Sequence, residues 1–209
     1  MMSEKSVAVR TFSFLLVTLA IYFLIWQFLC VRMTLPVYYY ARLIELLGIL
    51  LSAALAIFTP MRFEKMGILV DRRTLFRSLA MGGCVALLAV SVLALGSAVM
   101  GHTPLVSLTV RGDIAHFTYF LVAPLQEVLA KSVMYYSFET VLGEEHPVPV
   151  VGLSALVFGI FHVVYGFSMM LLAMALSVLT GWMFRRVRCV WGCALAHFAC
   201  GFFPVCFGF

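Results

Sequence analysis

The chain has 209 residues, of which 64% are hydrophobic and only 11% charged, with a mean hydropathy of +1.10. A water-soluble domain carries about 25% charged residues and about half apolar ones, which excludes an ordinary soluble fold and leaves no room beside the membrane helices for a separate soluble catalytic domain. The 14 basic residues against 9 acidic ones, a formal +5, belong on such a chain to topology and anionic lipid rather than to nucleic acid.

The first apolar run, 11–31, follows Lys5 and Arg10 and predicts a helix. It is too long for a signal-peptide core and has no small-residue cleavage pattern. A second run, 37–58, carries Arg42 and Glu45 at the i, i+3 spacing that lets them pair. A more polar stretch over 59–73 follows, and further helices are predicted over 74–100, 113–142, 148–165, 167–184 and 190–209. The fold class is therefore all-α: a polytopic membrane bundle of about seven spans, forming a single domain over 1–209 with no internal repeat. Lys5, Arg10, Arg62, Lys65, Arg72, Arg73, Arg77, Arg185, Arg186 and Arg188 fall on one side of this topology, and only Arg32 and Arg111 on the other. The asymmetry predicts a cytoplasmic N-terminus.

A charge at mid-membrane costs roughly 2.5–3.5 kcal/mol, so each one kept there needs a partner or a purpose. Glu127, Lys131, His162 and His197 qualify. On a helical ruler Glu127 lies about 22 Å from the end of its span, His162 about 21 Å into the next, and His197 about 13 Å beyond the basic turn. Glu127 and Lys131 are spaced i, i+4 and can also simply pair with each other. His102, His116 and His146 fall near helix ends or loops and receive no role. Gly152, Gly159 and Gly166 recur every seventh residue and predict close helix approach. The six cysteines lack C-x-x-C pairs and indicate neither a disulfide framework nor a zinc knuckle. Two histidines and a carboxylate are the ligand set of some catalytic zinc sites, although no H-E-x-x-H pair occurs on one helix.

Three motifs stand in order over about 113–201. Pro124-Leu125-Gln126-Glu127-Val128-Leu129-Ala130-Lys131 resembles a proline followed by Glu-Glu-x-x-x-Arg. Phe158-Gly159-Ile160-Phe161-His162 matches Phe-x-x-x-His. His197, after Arg185, Arg186 and Arg188, opens a variant of His-x-x-x-Asn. Together they resemble the family of intramembrane proteases that includes the type II CAAX prenyl endopeptidases and the bacteriocin-processing and immunity proteins. The resemblance implies a cofactor-free endopeptidase, with zinc as the alternative, acting on a membrane-associated peptide or protein with the bilayer as its other partner. It also implies that Glu127 and His162 activate water, that His197 assists the oxyanion, and that Lys131, Gln126 and Phe158 support them.

The chain departs from the pattern at two points. Counted back from Lys131, Gln126 takes the place of the first glutamate; counted forward from Pro124, Glu127 takes it and Val128 the second. Either way one carboxylate remains. Gly201 stands where the family has asparagine. These departures leave a second function open, that of a catalytically silent relative binding a regulatory partner. A small transporter is disfavoured, since no pair of broken helices occupies corresponding halves.

Overall fold

The computed structural model describes residues 4–34, 66–101 and 114–207, with isolated helical positions between 43 and 57. The described residues form helices joined by short turns, with no strand among them. Helix α1 is Glu4–Ile25, continued by a π-helical turn over Trp26–Arg32; α2 is Arg72–Val99 and α3 is Ile114–Glu127. A π-helical segment, Val128–Tyr135, joins α3 to α4, Tyr136–Leu142. Helix α5 is Pro147–Ile160, α6 is Phe167–Val187 and α7 is Val190–Cys206.

Among the described residues, three helical stretches are long and apolar enough to cross a membrane: Val9–Leu29, Arg72–Val99 and Phe167–Val187. Their outward faces are apolar, as a lipid-facing surface must be: Phe76, Leu87, Leu88, Val92 and Leu95 on α2 are all exposed. The sequence predicts about seven spans, and within the described residues the helices break at points that hydropathy does not mark. The predicted 148–165 helix stops at Ile160, and the predicted 113–142 helix is divided by its π segment. Helices α5 and α7 are apolar but shorter. The predicted second span falls mostly outside the described residues, as do the Arg42 and Glu45 pair and His102. Helix α1 begins seven residues before its apolar run (4 against 11), because helix propensity does not stop at the hydrophobic boundary.

Helix α7 is the centre of the arrangement and packs against α2, α3 and α6, while α5 packs on α6. The α2–α7 contact is a backbone approach. A Cβ on Gly82 would strike the Gly192 carbonyl, and one on Gly192 the Ser78 carbonyl. Ser78 uses this proximity: its hydroxyl donates to Cys189 O at 3.1 Å and accepts from Gly192 N at 3.0 Å, satisfying an N–H at the start of α7 that has no intrahelical partner. Of the three glycines spaced by seven, only Gly159 serves packing, against Met174. Gly152 faces open space, and Gly166 sits in a turn at φ +102°. Spacing alone does not distinguish these uses.

The basic residues at the start of α2 and the end of α6 gather at one end of the bundle. Val190 N donates to Gly67 O at 3.0 Å and Trp191 Nε1 to Ile68 O at 2.9 Å, which ties the approach to α2 to the start of α7. At the same end Arg188, in a left-handed conformation after α6, grips Glu139 of α4 with both guanidinium arms, at 2.6 and 2.5 Å. Partial burial pulls the Arg188 guanidinium down, but the Glu139 hydrogen bonds and charge outweigh it and raise it further. Asp71 caps α2 by accepting from the Thr74 hydroxyl at 2.6 Å and from Thr74 N at 3.0 Å, and these two bonds hold its carboxyl below the usual range.

Candidate active site

Glu127 is the last residue of α3, three positions after Pro124. Proline brings no N–H to the helical ladder, and from Val128 the bonds change to the wider i→i+5 pattern. The extra residue per turn rotates the following side chains relative to α3. Lys131 consequently does not lie flat along Glu127: its Nζ stands 4.0 Å from Glu127 Oε2 and donates to Ser177 Oγ at 2.8 Å and Ser177 O at 3.0 Å on α6. Both charged side chains are fully buried. The simple reading in which acid and lysine satisfy each other accounts for only part of the arrangement.

The other carboxylate oxygen, Oε1, lies 3.0 Å from His197 Nδ1 on α7. With the carboxylate ionised, Nδ1–H is the donor and Nε2 is the free ring nitrogen. Among the described residues Oε2 accepts no hydrogen bond of standard geometry: Lys131 Nζ faces it at 4.0 Å, and the Thr180 hydroxyl, which interacts with the same carboxylate, donates to Leu176 O at 3.0 Å. A buried carboxylate oxygen left open in this way is a place where a water or a substrate atom can bind.

His162 follows the end of α5, in a turn at φ −99°, ψ 0°, the bridge region of backbone space. It is placed by the helix break rather than carried inside a span. Its Nδ1–H donates to Phe158 O at 2.8 Å, which leaves Nε2 as an acceptor. The Phe158 ring lies 4.7 Å from the His162 ring and 5.6 Å from the His197 ring, so the two imidazoles flank one phenyl group. Lys131 Nζ is 5.9 Å from that ring. Gln126, beside Glu127 in the chain, has its amide oxygen buried without a hydrogen bond among the described residues and is not bonded to either histidine.

The His162 turn is held from α1. Tyr22, fully buried, donates to Phe161 O at 3.0 Å and lies 3.4 Å from Ile160 O, meeting carbonyls that the end of α5 leaves open. Replacing Tyr22 by phenylalanine is expected to cost about 1–2 kcal/mol. Thermal unfolding in detergent checks the stability loss, and proton exchange at the His162 ring nitrogens, faster in the variant, checks the loosening of the turn.

Side chains from α3, α6 and α7 and the π segment thus meet at one buried point holding a carboxylate, an ammonium and an imidazole, with the half-buried His162 of the turn after α5 across the Phe158 ring from His197. No group of three or more His, Cys, Asp or Glu among the described residues is arranged to hold a metal ion. The class defined by fold and composition is a helical integral membrane protein with an ionisable site built between its helices.

The family model described as type II CAAX prenyl endopeptidase Rce1-like matches residues 113–203. The match takes in all three motifs and covers a little under half of the chain, so over that stretch the chain resembles the CAAX protease family. No curated protein and no solved structure matches significantly.

Sequence reasoning missed Ser177, Thr180, Tyr22 and Tyr119, whose ring lies 6.1 Å from that of His197. Tyr119 carried only a weak signal, since eight residues before Glu127 is a little over two turns and about 80° round α3 from it. Ser177 and Tyr22 carried none, because nothing local to either names a partner many residues away.

Proposed function

We propose that the protein is an intramembrane endopeptidase that hydrolyses a peptide bond of a membrane-associated peptide or protein, without a metal or organic cofactor. The observation that carries this reading is the buried Glu127 carboxylate, oriented by His197 through Oε1 and with no hydrogen bond of standard geometry at Oε2, which Lys131 Nζ faces at 4.0 Å. Glu127 takes a proton from a water that His162 Nε2 also holds, and the resulting hydroxide forms the new bond to the carbonyl carbon as the carbonyl electrons move to oxygen. Collapse of that intermediate breaks the C–N bond, and the proton on Glu127 passes to the leaving amine. Lys131, anchored to Ser177, balances the carboxylate charge in a setting where an isolated charge is costly. The N-terminus is assigned to the cytoplasm, with the basic residues of α2 and the α6–α7 turn at that face.

The test uses the purified protein in lipid vesicles with two fluorogenic peptides, one prenylated at a C-terminal CAAX-type cysteine and one an unmodified membrane-anchored sequence. Cleavage of either supports the reading, and the pair separates the substrate classes. His162→Ala is expected to lower kcat by about 10²-fold or more, and a zinc chelator to leave the rate unchanged. Loss of cleavage with chelator and recovery with zinc would favour the metal alternative. A wild-type protein that cleaves neither peptide but binds one of them at the same site would favour the silent binding partner, a role that the single carboxylate and Gly201 also fit.

A further inference from the structure

The hydrogen bonds of the two histidines create a shortage. With the carboxylate ionised and the rings neutral, the one N–H of His197 is committed to Glu127 and the one N–H of His162 to Phe158 O. Each then offers Nε2 as an acceptor, which suits holding a water but cannot stabilise the negative oxygen that forms when the carbonyl is attacked. Lys131 gives two of its three N–H groups to Ser177, and its charge faces Glu127 Oε2 at 4.0 Å. Peptide hydrolysis by a buried carboxylate needs a donor at that oxygen.

One phenol stands where such a donor belongs. Tyr119, on α3, lies with its ring 6.1 Å from His197 and 6.2 Å from Phe198, and it interacts electrostatically with Glu127. Its hydroxyl occupies the space beside Gly201, so that a Cβ built on Gly201 would run into the phenol oxygen. Position 201 follows His197 by one helical turn on α7, the place at which a side chain would reach toward the same histidine. The chain has no side chain there, and the group filling the gap comes from the helix that carries Glu127.

We propose that Tyr119 is a catalytic residue of this site, its hydroxyl donating a hydrogen bond to the oxyanion of the tetrahedral intermediate in the space that Gly201 leaves free. The proposal deepens the peptidase reading and rests on it. The phenol keeps its proton throughout; only its hydrogen bond strengthens as charge gathers on the carbonyl oxygen, so the proton balance between Glu127 and the leaving amine is unchanged.

The experiment measures kcat and KM of the full-length protein in vesicles on whichever of the two fluorogenic peptides the wild type cleaves. Tyr119→Phe is expected to lower kcat by about 10²- to 10³-fold with KM changed less than about threefold and thermal unfolding as in the wild type. Tyr119→Ala with Gly201→Asn, which returns an amide donor to the vacated space, is expected to recover at least about tenfold over Tyr119→Ala alone. A Tyr119→Phe protein with wild-type kcat overturns the Tyr119 assignment and leaves the peptidase reading standing. A loss of kcat in Tyr119→Phe accompanied by an equal loss of folded protein, with no recovery in the double variant, overturns it as well. If the wild type cleaves neither peptide, the peptidase reading falls and the Tyr119 assignment falls with it.

Discussion

Replacing Glu127 by glutamine is expected to reduce kcat for peptide cleavage by about 10²- to 10⁴-fold, the usual contribution of a positioned general base. Glutamine keeps the size of the side chain and can still meet His197, but it cannot take the proton from water. The same change removes the countercharge of a fully buried ammonium, because Lys131 stands 4.0 Å from the carboxylate. Breaking one side of a buried pair costs about 3–5 kcal/mol, so the single variant is expected to be less stable as well as inactive. The two losses separate in Glu127→Gln/Lys131→Met, which removes both charges. There the unfolding midpoint is expected to return most of the way to wild type, while cleavage stays absent. Thermal unfolding in detergent and fluorogenic turnover, measured on the same preparations, check the pair, and wild-type turnover by the glutamine variant would remove Glu127 from the mechanism.

The second large effect is structural. Gly192→Val is expected to destabilise the protein by about 3 kcal/mol or more, since the new side chain would have to occupy the position of Ser78 backbone atoms, which cannot move as a flexible side chain can. The collision would also part the Ser78 hydroxyl from Gly192 N and Cys189 O, leaving the start of α7 uncapped. His197 is on the same helix, so its 3.0 Å bond to Glu127 is expected to loosen and activity to fall with stability. Gly152→Ala supplies the control: nothing lies within 4 Å of its added methyl group, and alanine favours the helix by up to about 1 kcal/mol. An unfolding midpoint for Gly152→Ala at or above wild type, beside a large drop for Gly192→Val, is the expected pattern.

The two variants show which parts of the molecule were legible before its coordinates. Glu127, Lys131, His162 and His197 could be read from the sequence because a charged or titratable group inside an apolar run is costly wherever the chain folds, and that cost is visible locally. The i, i+4 spacing of Glu127 and Lys131 was also visible, but its meaning was not: the π segment after Glu127 sends Lys131 to Ser177. His162 was expected within a span and lies instead in a turn, since hydropathy continues unbroken past Ile160 while the backbone does not.

Composition and hydropathy by themselves determined that this is an all-helical membrane protein, and the order of three short motifs determined its family resemblance and the acid and imidazoles worth examining. Only the tertiary structure decided that the Glu127 carboxylate meets His197, that Tyr22 holds the His162 turn, and that Tyr119 fills the space beside Gly201. The division has a physical cause. The penalty for a polar group in an apolar setting is a property of the residue and its neighbours in the chain, whereas the partner that meets it on another helix is fixed by breaks, rotations and close packing that no local spacing records.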